Sequence, residues 1–599
     1  MIQTPSHFLA ARCLALAIVV GFGWTGVALA QVAPLHHWVG FEDKVGCGID
    51  LNSPEAGSLL LAPRAIERRQ KQGIALDSLD LPVPEHRIAE VLAAGSTNEG
   101  QAVRLLHRSK WFNGVVIQLD TNLLDSAGMA GVLEDIALLA GVIEVKRTGW
   151  YHDETPPSAL PQKRSENQAI YESGPSAYGA AWAQTRQLKV DLIHGLGHRG
   201  EGMMVGVLDS GFDRVDTNPA FERARESGRI QVGGNFPNGG AISPWIYEEH
   251  YHGAMVLSTM VGHLDTLGNE PYMGTAPDAT YVLFRTENVD WEHLVEEYHW
   301  VAAAERADSM GCDVLNTSLG YSLFDAGSEN HDLSGLDGDT FPISRASDIA
   351  ATRGMLVFNS AGNSGNSPWE KVTAPADGDS VIAVGAVDSF GQHASFSSYG
   401  PTADGRIKPD LCATGRDAVY IHPDGTIREG NGTSFSCPIL CGAATSLWSA
   451  HPETPAWAIR QALLESASQW TAPDTARGFG IPDLWQAHLA LGGEANREAD
   501  GLLIYPNPIT TFDKGLRVVF EENALLTATG SALTWHITDV LGRHIARGVV
   551  ERDKIPLTTL TLPVDMLEAG TYILTLYGVP GEDQRHPPTS WARFVVESR

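Results

Sequence analysis

The sequence predicts an α/β protein with a doubly wound parallel sheet at its centre, a small α/β unit before it and an all-β sandwich after it. Three observations carry this. First, within residues 170–495 short apolar runs (203–208, 280–285, 313–318, 355–359 and 380–384) alternate with helical stretches such as 291–310 and 438–449. Runs apolar throughout belong to strands buried on both faces, and strand–helix alternation winds helices onto both sides of one sheet. Second, residues 31–165 repeat the alternation on a smaller scale: strands at 37–41, 114–119 and 141–145, helices at 63–72 and near 130–140. Third, from about Gly501 the segments shorten and often alternate (502–505, 516–520, 533–538, 559–562, 571–577, 591–596), with turn signals such as Pro506-Asn507-Pro508 between them. That texture predicts a sandwich of about a hundred residues over 500–599.

At 599 residues the chain is long enough for several cores. A formal net charge of −30 excludes a nucleic-acid or anionic-membrane partner, because both need a basic patch. Residues 1–30 have the form of a signal peptide. Arg12 precedes an apolar run at 13–22, and Ala28-Leu29-Ala30 supplies the small residues of a cleavage site before Gln31. The run is shorter than the roughly 20 residues of a membrane span, and no later one reaches that length, so no transmembrane segment is expected. Residues 153–168, rich in Pro, Ser and charge, form an exposed linker of the kind where processing falls. Of six cysteines, Cys13 leaves with the signal peptide. The odd remainder is no disulfide scaffold, and Cys437 and Cys441 lack the further ligands of a metal site.

Four segments carry chemistry, each with a plainer alternative. Asp209-Ser210-Gly211 ends an apolar strand, where open α/β sheets place their sites, but Asp-Ser-Gly is also an ordinary turn. His252 is followed by Gly253, which lets backbone or substrate approach the ring; His250 and His263 read as structural. Asn363, in Ala361-Gly362-Asn363, could aim its amide at a developing oxyanion or simply occupy a turn. Ser434 stands where a helix begins, with Pro438 in its first turn. It could act as nucleophile or as helix cap, and Ser436 is a nearby decoy.

Taken together, the order Asp, His, Asn, Ser on strand ends and helix starts resembles the subtilase family. Its Asp box is Asp209-Ser210-Gly211, its His box His252-Gly253, and its Ser box Gly432-Thr433-Ser434 with Pro438. Residues Leu315-Asn316-Thr317-Ser318-Leu319-Gly320 resemble the family strand that lines the specificity pocket and pairs with the substrate backbone. The resemblance implies a serine endopeptidase of subtilisin-like fold acting on proteins or peptides. Its triad would be Asp209, His252 and Ser434, and its oxyanion donors Asn363 and the Ser434 N–H. Substrate contacts would come from Ser318, Leu319, Gly320, Ala361 and Gly362. It implies no required cofactor; calcium, common in the family, could be held by acidic loops such as residues 213–216. The family's common Thr after the His-box Gly is Ala254 here, and Met-Ala of the Ser box is Phe435-Ser436.

Residues 31–165 are similar to prodomains of Bacteroidetes-type secreted subtilases, through residues 63–69, 79–83 and 109–113, which implies an intramolecular inhibitor. Residues 500–599 are similar to a type IX secretion sorting domain, through Tyr505-Pro506-Asn507-Pro508, residues 538–543 and residues 567–572. That implies export through the periplasm to the surface or medium. A sedolisin would lack this His box, and an α/β-hydrolase would need Gly-x-Ser-x-Gly and the order Ser, Asp, His. The remaining rival is an inactive adhesin of the same fold. An unperturbed His252 would make activity rise through roughly pH 6–7.

Overall fold

The computed structural model describes residues 35–98, 100–149, 177–264 and 271–493. Of the C-terminal part it describes 502–505, 516–520, 532–539, 543–551, 559–562, 567, 570–577 and 590–596. The expected signal peptide and the linker at 153–168 lie outside the described residues. Among the described residues no helix is long and apolar enough to cross a membrane.

The N-terminal unit is a four-stranded sheet of β1 (Leu35–Phe41), β2 (Val103–Ser109), β3 (Gly114–Leu119) and β4 (Val142–Arg147) in the order β2-β3-β1-β4. Every pairing is antiparallel, in a small open α/β unit of the kind the sequence predicts. The physical reason is the connection: only residues 110–113 join β2 to β3, enough for a hairpin and far too few for a parallel crossover. Helices α1 (Pro63–Lys71), α2 (Glu85–Ala94) and α3 (Ser126–Ala137) accompany the sheet, and on one face Val39, Val91, Ile117 and Ile136 form a small core with α2 and α3. The side chain of Asp125 caps α3 by accepting from Gly128 N at 2.8 Å. Because side chains alternate along a strand, Trp38 of β1 points the other way, into the central domain.

The central sheet has seven strands: β5 (Met204–Asp209), β6 (Ile230–Asn235), β7 (Thr280–Arg285), β8 (Val314–Thr317), β9 (Leu356–Ser360), β10 (Ile382–Val387) and β11 (Leu411–Thr414). They run β11-β10-β9-β8-β5-β7-β6, all parallel. Val205, Val207, Leu283, Phe358 and Val384 share one core with α4 (His252–Val261) and α7 (Thr433–Ser449). Val282, Phe284, Leu315 and Val357 share the opposite core with α5 (Val295–Met310) and α6 (Pro342–Thr352). The doubly wound expectation holds, with a hydrophobic core on each face.

The N-terminal unit lies against the outer side of α5. Trp38 stacks on Tyr298 with ring centroids 5.0 Å apart. Arg68 and Arg69 of α1 both pair with Asp308, at 2.6 and 2.7 Å, and Arg69 also pairs with Asp80 at 2.8 Å. Glu305 accepts from Ser109 Oγ, Lys110 N and Trp111 N at 2.6, 2.8 and 3.1 Å.

The C-terminal part forms two antiparallel sheets. The first is β12 (Leu502–Tyr505), β13 (Leu516–Phe520) and β16 (Thr559–Leu562), ordered β12-β13-β16. The second is β14 (Ala532–Asp539), β15 (His544–Glu551), β17 (Gly570–Tyr577) and β18 (Ser590–Val596), ordered β15-β14-β17-β18. Buried Val518, Ile537 and Leu574 mark inward faces. An all-β unit of this kind is what the sequence predicts.

Candidate active site

Three adjacent strands, β9, β8 and β5, bring the site together at their C-terminal ends. Asp209 is the last residue of β5 and is 1 % exposed. Its Oδ1 accepts from Ser210 N at 2.8 Å and from His252 Nδ1 at 2.8 Å. Arg285, opposite Asp209 in the parallel register, donates from Nε to Ser210 O at 3.1 Å and so braces the turn. His252 is the first residue of α4. A Cβ at Gly253 would collide with the Gly211 carbonyl and stand 2.9 Å from Asp209 Cβ, so only glycine lets α4 approach closely enough for the ring to reach the carboxylate. Burial of the His252 ring pulls its pKa down; the charge of Asp209 and the hydrogen bond to it more than offset this, leaving it above the usual histidine value.

His250 Nδ1 lies 2.9 Å from Ser210 Oγ. His263 falls in the short strand His263–Leu264 that pairs with Tyr272–Met273.

Ser434 is the second residue of α7, whose N-cap is Gly432. Pro438 is therefore not in the first turn, as the sequence suggested, but one turn further in. Lacking an N–H, it leaves the Ser434 carbonyl without its helical donor. Ser318 supplies one: its Oγ donates to Ser434 O at 3.0 Å, while Ser434 Oγ donates to Ser318 O at 3.1 Å. Ser318 directly follows β8, whose Thr317 registers with Leu208, so this reciprocal pair stands beside Asp209. The Ser434 hydroxyl is thus bonded to Ser318, not to His252. The decoy Ser436 is fully buried and donates back to Thr433 O at 3.1 Å.

Asn363 follows β9 through Gly362, whose φ of +102° is left-handed and suits glycine. Its Oδ1 accepts from Thr433 N at 2.9 Å and Thr433 Oγ1 at 3.0 Å, and Thr433 Oγ1 also accepts from Gly362 N at 3.2 Å. With the oxygen held, the amide nitrogen turns to the solvent side. A Cβ at Gly432 would stand 3.9 Å from Asn363 Nδ2 and 3.7 Å from Ser434 N, so both donors face one small space. Thr433 was not singled out from the sequence; lying directly beside Ser434, it orients Asn363. Ser318, Leu319 and Gly320 leave the end of β8, and Ala361 and Gly362 the end of the neighbouring β9.

This arrangement can bind an anionic oxygen and hold an imidazole in one tautomer. Comparison with known proteins decides the family. Residues 200–481 match the model for the subtilase family, and residues 36–147 the peptidase S8 propeptide domain of Bacteroidota. The chain is 30% identical over 300 residues to subtilisin of Bacillus pumilus, covering 94% of that protein and 49% of this chain. The chain belongs to the subtilase family. To subtilisin DY of Bacillus licheniformis this subtilase is 29% identical over 282 residues, 89% of that protein and 47% of this one. To subtilisin E of Bacillus subtilis it is 31% identical over 284 residues, 65% and 47% respectively. The crystal structure of MycP1 from Mycobacterium smegmatis matches with a TM-score of 0.40 and 19% identity, over 86% of that chain and 53% of this one. The enzyme class is a serine-type endopeptidase, and the N-terminal unit is its propeptide domain.

Side chains able to ligate a metal converge, among the described residues, at Glu287, Glu292 and Glu296. Glu287 accepts from Tyr321 OH at 2.5 Å and Thr286 Oγ1 at 2.8 Å; Glu296 accepts from Asn288 N and His293 N. Burial, then mutual repulsion, pushes Glu292 up to about 8, and burial, partly offset by its hydrogen bonds, pushes Glu287 up to about 7. Shared protons satisfy such a cluster as readily as a cation does. Cys437 and Cys441 are buried free thiols whose pKa values burial raises.

Proposed function

We propose that Asp209, His252 and Ser434 form the catalytic triad of a secreted endopeptidase that hydrolyses proteins or peptides through an acyl-enzyme. The observation that carries this reading is the 2.8 Å hydrogen bond from His252 Nδ1 to a buried Asp209, at the sheet end where Ser434 meets Ser318. Asp209 fixes the Nδ1–H tautomer, leaving Nε2 to take a proton. Rotation about the Ser434 Cα–Cβ bond releases Oγ from Ser318 and turns it toward His252. Oγ then attacks the scissile carbonyl while His252 accepts its proton; the carbonyl oxygen, now negative, enters the space between Asn363 Nδ2 and Ser434 N. His252 next protonates the leaving amine, and water repeats the sequence on the ester.

In this reading the propeptide domain inhibits the enzyme until it is cut away, and Ser318, Leu319, Gly320, Ala361 and Gly362 contact the substrate. Cleavage after Ala30 and a type IX sorting role for residues 500–599 would take the chain through the periplasm to the surface or medium. Labelling of processed protein with a fluorophosphonate tests the site. Label on Ser434, abolished in Ser434→Ala, is the expected result; no label on wild type favours the adhesin instead.

A further inference from the structure

We propose that the propeptide domain stays on the processed enzyme as a permanent subunit: a cut in the linker opens the active site, while the domain keeps its hold at the opposite end of the central sheet. This deepens the proposed reading of the domain as inhibitor, and only the activity of the two-chain form rests on Ser434 as nucleophile.

The hold is made where strands begin. The site stands at the C-terminal ends of β5, β8 and β9, and residues 62–80 of the propeptide domain form a clamp under their N-terminal ends. Arg64 donates from Nη2 to Gly202 O at 2.7 Å and from Nε to Gly311 O at 3.0 Å, just ahead of β5 and β8. It also pairs with Asp313, whose Oδ2 accepts at 2.8 Å from the N–H of Met204, the first residue of β5. Arg68 donates to Cys312 O and, together with Arg69, pairs with Asp308. Gln72 donates to Gly354 O at 2.8 Å, just ahead of β9, and accepts from Ala456 N at 3.1 Å, where helix Ala456–Glu465 begins. Arg353 pairs with Asp77 at 2.9 Å. Packing is close throughout: a Cβ on Gly311 would stand 2.7 Å from Ala65 N, and one on Gly354 2.8 Å from Ile74 Cδ1. Strands of four to six residues separate the clamp from the site, roughly 13–20 Å at about 3.3 Å per residue.

A second hold is apolar. Trp38, Leu106, Trp111 and Val116 of the propeptide sheet share one continuous core with Phe236, Tyr298 and Ala302 of the protease. An interface built like a domain core cut in half belongs to obligate partners rather than transient ones. Both holds sit on one piece. Lys44 Nζ donates to Ser78 O, Leu81 O and Lys110 O at 2.5, 2.7 and 2.5 Å, and Arg69 reaches Asp80 as well as Asp308. Two attachments on one body exceed either alone by roughly 10²–10⁴ in affinity. The contact that leads toward the site is separate from both. Thr148, directly after β4, accepts at 2.6 Å from the N–H of Val295, the first residue of α5, at the end of the sheet that bears the site. A cut in the linker beyond Thr148 frees the tail, yet it breaks no bond of the clamp and exposes none of the shared core. One cut therefore ends inhibition and leaves attachment.

The test uses the full chain carrying Ser434→Ala, with the recognition sequence of a site-specific protease inserted between Leu160 and Pro161, so that cutting needs no activity of its own. The cut protein is mixed with an isotope-labelled copy cut in the same way and held for a day at pH 7.5, and native mass spectrometry counts the pairs. A permanent subunit gives one-to-one pairs of matching label only. Mixed pairs, or protease without its propeptide domain, overturn the proposal whether or not any further variant folds. Arg64→Ala with Gln72→Ala, which takes both ends off the clamp, should speed exchange roughly tenfold or more at the urea concentration where the parent first exchanges. An unchanged rate there takes the clamp out of the attachment. The same cut protein with Ser434 intact is then treated with a fluorophosphonate, and label on Ser434 within the one-to-one pair is the expected result. Label found only on protease that has lost the domain overturns the two-chain enzyme. No label on any species sinks the nucleophile reading, and the exchange result still decides attachment.

Discussion

Acidification should loosen the propeptide domain from the protease, because histidines are buried uncharged where the two meet. His36 of β1 and His107 of β2 are 4 % and 6 % exposed. His107 packs edge-on against His299 of α5 with centroids 5.0 Å apart, and His36 lies 6.4 Å from Trp291. Burial, then the nearby rings of His299, His293 and His37 and the charge of Arg104, pushes His36 down to about 3. Burial, then His36 and Arg306, pushes His107 down to about 3 against one opposing backbone hydrogen bond. A base with a depressed pKa in the docked state stabilises docking above its free value near 6.5, and that stability drains away as pH falls toward 3. At pH 5 the deficit is 1.5 units, about 2 kcal/mol for each ring and about 4 kcal/mol for the pair, or roughly 10³-fold weaker docking. His299, lowered well below its usual value by burial, adds to the trend. Glu305, raised by burial, opposes it. Burial also works against ionised Asp308, yet Lys110, Arg68 and Arg69 outweigh it, so that carboxylate contributes its loss only below about pH 4. Hydrogen exchange by mass spectrometry on the full chain carrying Ser434→Ala, corrected for intrinsic rates, measures the opening of residues 35–41 and 103–119 against 204–209 as internal reference. Protection of the first two that does not fall relative to the third between pH 7.5 and 5 would refute the reasoning. So would a His36→Phe, His107→Phe pair that keeps the full pH response.

The remaining expectations concern the site and its clamp. With the His252 pKa above 6.5, the acid limb of kcat/KM on a soluble peptide should be centred above that value, higher than an unperturbed ring would give; a midpoint below 6 contradicts the Asp209 contact. Asn363→Ala should lower kcat by roughly 10²–10³ with KM little changed, and Thr433→Val, which removes one of the two hydrogen bonds on Asn363 Oδ1 and keeps the backbone one, should lower it by a smaller factor. Asp308→Ala takes the ion-pair partner from Arg68 and leaves Arg69 only Asp80, and should weaken propeptide docking by about 3–5 kcal/mol, read from the same exchange data; a change under 1 kcal/mol removes the clamp from the account.

What the sequence disclosed follows from where each element lies in its sheet. Interior strands such as Thr280–Arg285 and Gly114–Leu119 are buried on both sides, so they read as unbroken apolar runs and their bounds match the structure. Among the strands labelled above, four escaped notice: Val103–Ser109, Ile230–Asn235, Leu411–Thr414 and His544–Glu551. Each is the edge of its sheet. An edge strand has one neighbour, is short or mixed in polarity, and carries little of the apolar signal. The site divides along a similar line. Asp209, His252, Asn363 and Ser434 were legible because each sits in a short box whose glycine serves a local need. Ser318 was legible only as a wall, and Thr433 not as a positioning residue, because its part depends on contacts 70 or more residues away.

Pro438 ties these observations together. Its place in the helix was misread by a turn, and that turn changes what the residue does. In the first turn a proline removes a donor that has no partner anyway; one turn later it frees the carbonyl of Ser434 itself. The freed oxygen takes the Ser318 hydroxyl, and Ser318 returns the bond through its own carbonyl, so the segment bearing the hydroxyl is held to the end of β8. Ser318→Ala therefore removes one side of that clasp and leaves the Ser434 carbonyl short of a donor. It should lower kcat more than it raises KM, and Pro438→Ala, which restores the helical N–H, should rescue part of the loss in the double variant. Strict additivity of the two substitutions in kcat would mean that the proline and the Ser318 hydroxyl act independently.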